Sequence, residues 1–264
     1  SKLLREHCLL ERFSHFAILS VSSDYSTLLF LMFLRKLSKN SSYSSRIRNL
    51  EIGPLNLETY KIFNDIGLGK NLNSLKIDVS GLSVKLQSDL FISLEELKEL
   101  HLINYSGFSN HDGTTLILQN LKKLCVLNSD EGLNLFYNCS RLKVLIYPNE
   151  SNIDNFISDK LMCVSVKYKY CSGHEDATSS KPIKYLSLNG KDCAFVSKIH
   201  LSKYSCKPIE ILYLDFFKLS SGINIVNAHW NRLTVLRLNG VIFQDPKMDL
   251  MFILKKCRNL RSLE

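Results

Sequence analysis

Apolar residues return along the chain in the frame L-x-x-L-x-L. It is cleanest at Leu233-Thr-Val-Leu236-Arg-Leu238-Asn239-Gly240 and at Ile183-Lys-Tyr-Leu186-Ser-Leu188-Asn189-Gly190. As a strand, the alternation sends Leu236 and Leu238 to one side and Val235, Arg237 and Asn239 to the other, one buried and one exposed row per copy. The frames open at Phe16, Ile47, Leu72, Leu97, Leu121, Leu142, Leu161, Ile183, Ile209, Leu233 and Leu260, in steps of 19 to 31 residues. Between them the apolar spacing changes to three and four, which predicts helices over residues 57–66, 88–96, 132–138, 192–203 and 246–256. Gly67 and Gly69 mark the end of the first, and Pro246 suits the first turn of the last. Residues 28–37 predict a further, early helix.

A period in the twenties built on L-x-x-L-x-L resembles the leucine-rich repeat family over nearly the full length. Strands joined by helices and repeated without return imply an α/β fold: a right-handed solenoid with parallel strands on the concave face and helices on the convex face. Residues 1–45 form an N-terminal helical segment with a first irregular repeat, and residues 46–264 form the repeat domain. The frame opened at Leu260 stops at Glu264, as expected of a fragment of a longer chain. Cys139, Cys206 and Cys257 each stand three residues before a frame, in a slot held elsewhere by Leu94, Leu118 and Trp230. That slot is expected to be buried core. It resembles the cysteine-containing repeats of F-box/leucine-rich-repeat proteins. At the ninth position of the frame stand Asp24, Leu55, Ser80, Tyr105, Ser129, Lys169 and Phe217, so no asparagine ladder is expected.

Composition narrows the function classes. The longest apolar run, residues 28–34, is far short of the roughly 20 residues a membrane span needs, so no membrane partner is expected. The eight cysteines are scattered rather than paired in short modules, which suits reduced thiols and an intracellular chain, cytoplasmic or nuclear. Cys171-Ser-Gly-His174 has the spacing of half a metal site but lacks a second pair, so no metal or other cofactor is expected. Gly67-Leu-Gly69-Lys70 lacks the early glycine and the Ser/Thr of a phosphate loop and follows a helix instead of preceding one. The seven histidines have no nucleophile or carboxylate partner at a telling spacing, so the chain reads as a non-enzyme. The polar stretch 167–181 predicts an exposed loop, the first place a protease would cut.

Net charge is +9. The strand positions expected to face outward alternate in sign, and much of the excess sits at element ends, as at Lys122, Lys123, Arg141, Lys203, Lys255, Lys256 and Arg258, where cations offset helix dipoles. Nucleic acid is therefore the disfavoured partner. The expected binding surface is the concave face, carrying Asn49, Glu51, Lys76, Asp78, Glu99 and His101 in the earlier frames and Tyr185, Ser187, Tyr213, Asp215, Arg237 and Asn239 in the later ones. Mixed charge with tyrosines suits another protein. The family resemblance implies substrate recognition in an F-box ubiquitin ligase that docks to Skp1 through a segment outside this chain. The alternative is a non-catalytic scaffold or assembly subunit of a larger, nucleic-acid-associated complex.

Overall fold

A computed structural model describes residues 24–38, 47–105, 118–129, 136, 138–147, 156–167, 179–191, 196–201, 204–226 and 230–264. The fold is mixed α/β with parallel strands. The chain divides into two compact units, Ser1–Arg141 and Leu142–Glu264.

In the first unit, helix α1 (Asp24–Ser38) packs on strand β1 (Asn49–Pro54) and helix α2 (Leu57–Asp65). Strands β2 (Ser74–Asp78), β3 (Glu99–Ile103) and β4 (Lys123–Leu127) follow, with helix α3 (Val84–Ile92) between β2 and β3. The four strands pair in sequence order, all parallel, so Leu50, Leu75, Leu100 and Leu124 stand in one register and all are buried. Helix α2 starts where Asn56 and Thr59 exchange backbone and side-chain hydrogen bonds in a capping box, and it ends at Gly67 with φ +60°. Phe91, Tyr105 and Phe136 close the core as three tilted or edge-on ring pairs, with centroids 5.8–6.2 Å apart.

In the second unit, β5 (Val144–Tyr147), β6 (Cys163–Lys167), β7 (Tyr185–Asn189), β9 (Ile211–Asp215), β11 (Val235–Asn239) and β13 (Ser262–Leu263) form one parallel sheet. Strands β8 (Val196–His200), β10 (Lys218–Val226) and β12 (Ile242–Phe243) form a second, smaller one. Helix α4 (Pro246–Lys256) packs on β10 and β12. Leu145, Val164, Leu186, Leu212 and Leu236 make the buried row of the larger sheet.

The helices expected over 57–66, 246–256 and 28–37 are α2, α4 and α1. The one expected over 88–96 is α3 displaced at both ends: Ser83, in an extended conformation, takes the N-cap, and the helix stops at Ile92 with Ser93 as its C-cap, so residues 93–96 are not helical. The Gln87 amide then donates to the carbonyls of Val79 and Leu82, tying that first turn to the preceding loop. The helix expected over 192–203 is a correction: residues 196–200 are strand β8. Its apolar residues Val196 and Ile199 imitate helical spacing, but parallel pairing with β10 decides the conformation.

The ninth position lacks asparagine and is a core position in several frames: Leu55, Tyr105, Ser129 and Phe217 are buried there. Cys139 and Cys257 occupy the expected slot and are buried, whereas Cys206 is exposed and Trp230 half-exposed, both corrections. The expected exposed loop 167–181 is too long at its end, since Ser179 and Lys181 are buried. Lys167, where that loop was expected to begin, is the last residue of β6; residues 168–178, the frame at Phe16, residues 132–135 and 137, and Cys8, Cys171, His174 and Cys193 lie outside the described residues.

Candidate binding face

Parallel pairing in register lines up equivalent residues in rows across the strands, about 4.8 Å apart. In the first unit Glu51, Lys76 and His101 form one row, continued by Cys125 on β4. Glu51 and Lys76 are ion-paired. The neighbouring row runs Asn49, Ser74, Glu99, Lys123, with Lys123 3.8 Å from the Glu99 carboxylate. Asp78 is committed to the turn after its strand: it accepts from the Ser80 N–H at 2.9 Å and from the Asn104 amide at 2.9 Å. His101 titrates below its ordinary 6.5, first because it is partly buried and then because Lys123 lies nearby. Most of this face is therefore satisfied internally.

The second unit differs. Ser187, Tyr213 and Arg237 form one row, and Asn189, Asp215 and Asn239 the next. Tyr185 stands in the row of Ile211 and reaches diagonally to Tyr213, edge-on, with ring centroids 5.1 Å apart. The Arg237 guanidinium lies 5.2 Å from the centre of the Tyr213 ring. A cation over an aromatic face contributes about 0.5–1 kcal/mol where solvent reaches it, and its geometry fixes both side chains. The Ser187 hydroxyl donates to Asp215 at 3.4 Å. Burial, helped by Tyr213, Cys163 and Asp215 and opposed by Arg237, raises the Tyr185 phenol to about 12. At neutral pH it keeps its proton and can donate a hydrogen bond.

The frame spacing places Tyr185, Tyr213, Asp215 and Arg237 close together, and the strand pairing brings them into contact or into adjacent rows. The frame spacing misses Phe216. This residue leaves β9 with φ +59°, a left-handed conformation that Asn104, Asn128 and Gly240 also adopt just after their strands. An asparagine or glycine tolerates that conformation, whereas phenylalanine there is strained. Its ring is 47 % exposed and lies over Gly240, where an added Cβ would come within 2.8 Å of it. The available signal was the break in the frame itself, where the second of two phenylalanines enters the core and leaves the first outside.

Among the described residues no cluster of His, Cys, Asp and Glu could hold a metal ion. No described helix is long and apolar enough to cross a membrane. Compared with protein-family models and with curated proteins, the chain matches none.

Proposed function

We propose that this chain is a leucine-rich-repeat module, a right-handed solenoid that binds another protein on its concave strand face and performs no catalysis itself. Tyr185, Tyr213 and Arg237 form its centre, and the observation that carries the reading is their contact cluster on the polar face of the second unit. Tyrosine and arginine are the residue types that most often dominate interface energy, and here each is pre-ordered by the next, which lowers the entropy lost on binding. Asp215, Asn189 and Asn239 supply a polar rim, and Phe216 an exposed apolar contact beside it. The resemblance to cysteine-containing repeats assigns the module to substrate recognition in an intracellular Skp1-type ubiquitin ligase, with the Skp1-docking segment outside this chain.

The test compares wild type with the Tyr213→Ala, Arg237→Ala double variant as crosslinked baits in cell extract. At least one partner should fall by about fivefold or more, equivalent to about 1 kcal/mol, while the bait still unfolds cooperatively, well above the temperature of the assay. A set of partners recovered equally by both baits would overturn the reading.

A further inference from the structure

A second surface lies one residue before the strands of the second unit. Backbone hydrogen bonds fix its order: the N–H of Met162 donates to the carbonyl of Lys143 at 3.0 Å, Lys184 to Met162 at 2.9 Å, and Glu210 to Lys184 at 2.8 Å. Thr234 continues to Glu210 at 2.8 Å and Arg261 to Thr234 at 2.8 Å. The side chains at these positions therefore stand in one row along the strand-start end of the sheet, spanning about 24 Å at 4.8 Å per strand. Lys143, Lys184 and Arg261 in the row are exposed, and so are Lys160, Lys207 and Arg232 in the turns that lead into it. Among the described residues the carboxylates at this end are Asp159 and Glu210, and Glu210 is held by Lys184 at 3.2 Å. Among the described residues none of the other five cations has a carboxylate partner.

We propose that this basic row binds the phosphate backbone of a single-stranded nucleic acid. Met162 separates Lys143 from Lys184 in the row, and Glu210 and Thr234 separate Lys184 from Arg261, so the pull on a polyanion comes from the excess of exposed cations over carboxylates at this end rather than from adjacent charges in register. The cations are mostly lysines, point charges on flexible stems that suit sequence-independent phosphate contacts better than the fixed bidentate geometry of a carboxylate surface. Half-exposed Trp230, two residues from Arg232, supplies a ring at this end on which an unpaired base can stack. The proposal goes beyond the protein-binding face and uses none of its residues.

The test is fluorescence anisotropy of a labelled oligo-uridylate of about ten nucleotides with the whole chain. Binding is expected in low salt and should weaken about a hundredfold between 50 and 200 mM if about five phosphates are neutralised. The triple variant Lys160→Glu, Lys207→Glu, Arg261→Glu should lose at least tenfold, and its Gln counterpart less, in the same direction. Tyr213→Ala with Arg237→Ala should bind the oligonucleotide as wild type does, which separates failure here from failure of the protein-binding face. The proposal is overturned by absence of binding in low salt, by unchanged affinity of a folded triple variant, or by poly-glutamate binding as tightly as the oligonucleotide.

Discussion

Leu236 is 1 % exposed in the buried row, while its neighbour Arg237 is half-exposed on the opposite face, so adjacent residues carry opposite roles. Leu236→Ala should cost about 2–5 kcal/mol through lost burial and the cavity left behind. Arg237→Ala, losing chiefly its contact with Tyr213, should cost about 1 kcal/mol or less; comparable losses in a denaturant titration would invert the two faces. Thiol chemistry gives a second check at this scale. Burial raises Cys139 to about 12 and Cys257 to about 11, so native iodoacetamide labelling near neutral pH should reach exposed Cys206 first and these two only on unfolding. Both folded-state values lie above the ordinary 9.0. Their stabilising contribution is therefore complete below pH 9 and is lost as pH rises toward 11 and 12. Two of the three slot cysteines were legible from spacing, and the third shows why spacing alone fails. In other repeats the N–H of the first frame residue closes a tight turn onto the slot carbonyl, as Leu97 does to Leu94, Leu121 to Leu118 and Leu260 to Cys257. Pro208 disfavours that turn by pushing Lys207 toward an extended conformation. The buried position moves one residue back to Ser205, whose hydroxyl donates to Ile183 and Lys207, and Cys206 is turned outward. Pro182 has the same effect on Ser179, which is buried four residues before Ile183.

At the scale of elements, the strand frames were legible because one face of each is buried, so a slip of one residue would expose the whole leucine row. The connections were less so. An apolar pair three apart, such as Val196 and Ile199, fits a helix face as well as a strand whose ends bend away, and tertiary pairing made the choice. Close packing between connections and strands leaves a measurable trace at Gly190. A Cβ there would come within 2.8–2.9 Å of the Phe217 ring, which is fully buried. Gly190→Ala should therefore destabilise by about 1–3 kcal/mol through overpacking, and Phe217→Leu added to it should recover part of that loss in thermal unfolding. A Gly190→Ala variant as stable as wild type would mean that the ring moves freely, which its burial argues against.

At the scale of the whole molecule, the net charge of +9 does not disclose its arrangement, because the outward strand positions alternate in sign, whereas the row of the second unit lies one residue earlier. Tyr213 and Arg237 were placed in one row by counting alone; the diagonal stacking of Tyr185 required coordinates, since it depends on ring direction rather than register. The two units also differ in how their strands are tied. In the first, helix α2 joins β1 to β2 and helix α3 joins β2 to β3, and each sheet strand is bonded to its sequence neighbours. In the second, β7 through β12 alternate between two sheets, so consecutive strands are locked to different partners. Opening two consecutive strands there breaks ladders in both sheets at once. Amide hydrogen exchange should accordingly report strands β7 to β12 opening as one cooperative block with a common protection level, while α2 and α3 exchange earlier than the strands they connect. Independent, graded protection of β7, β9 and β11 would show that the smaller sheet contributes nothing to holding them together.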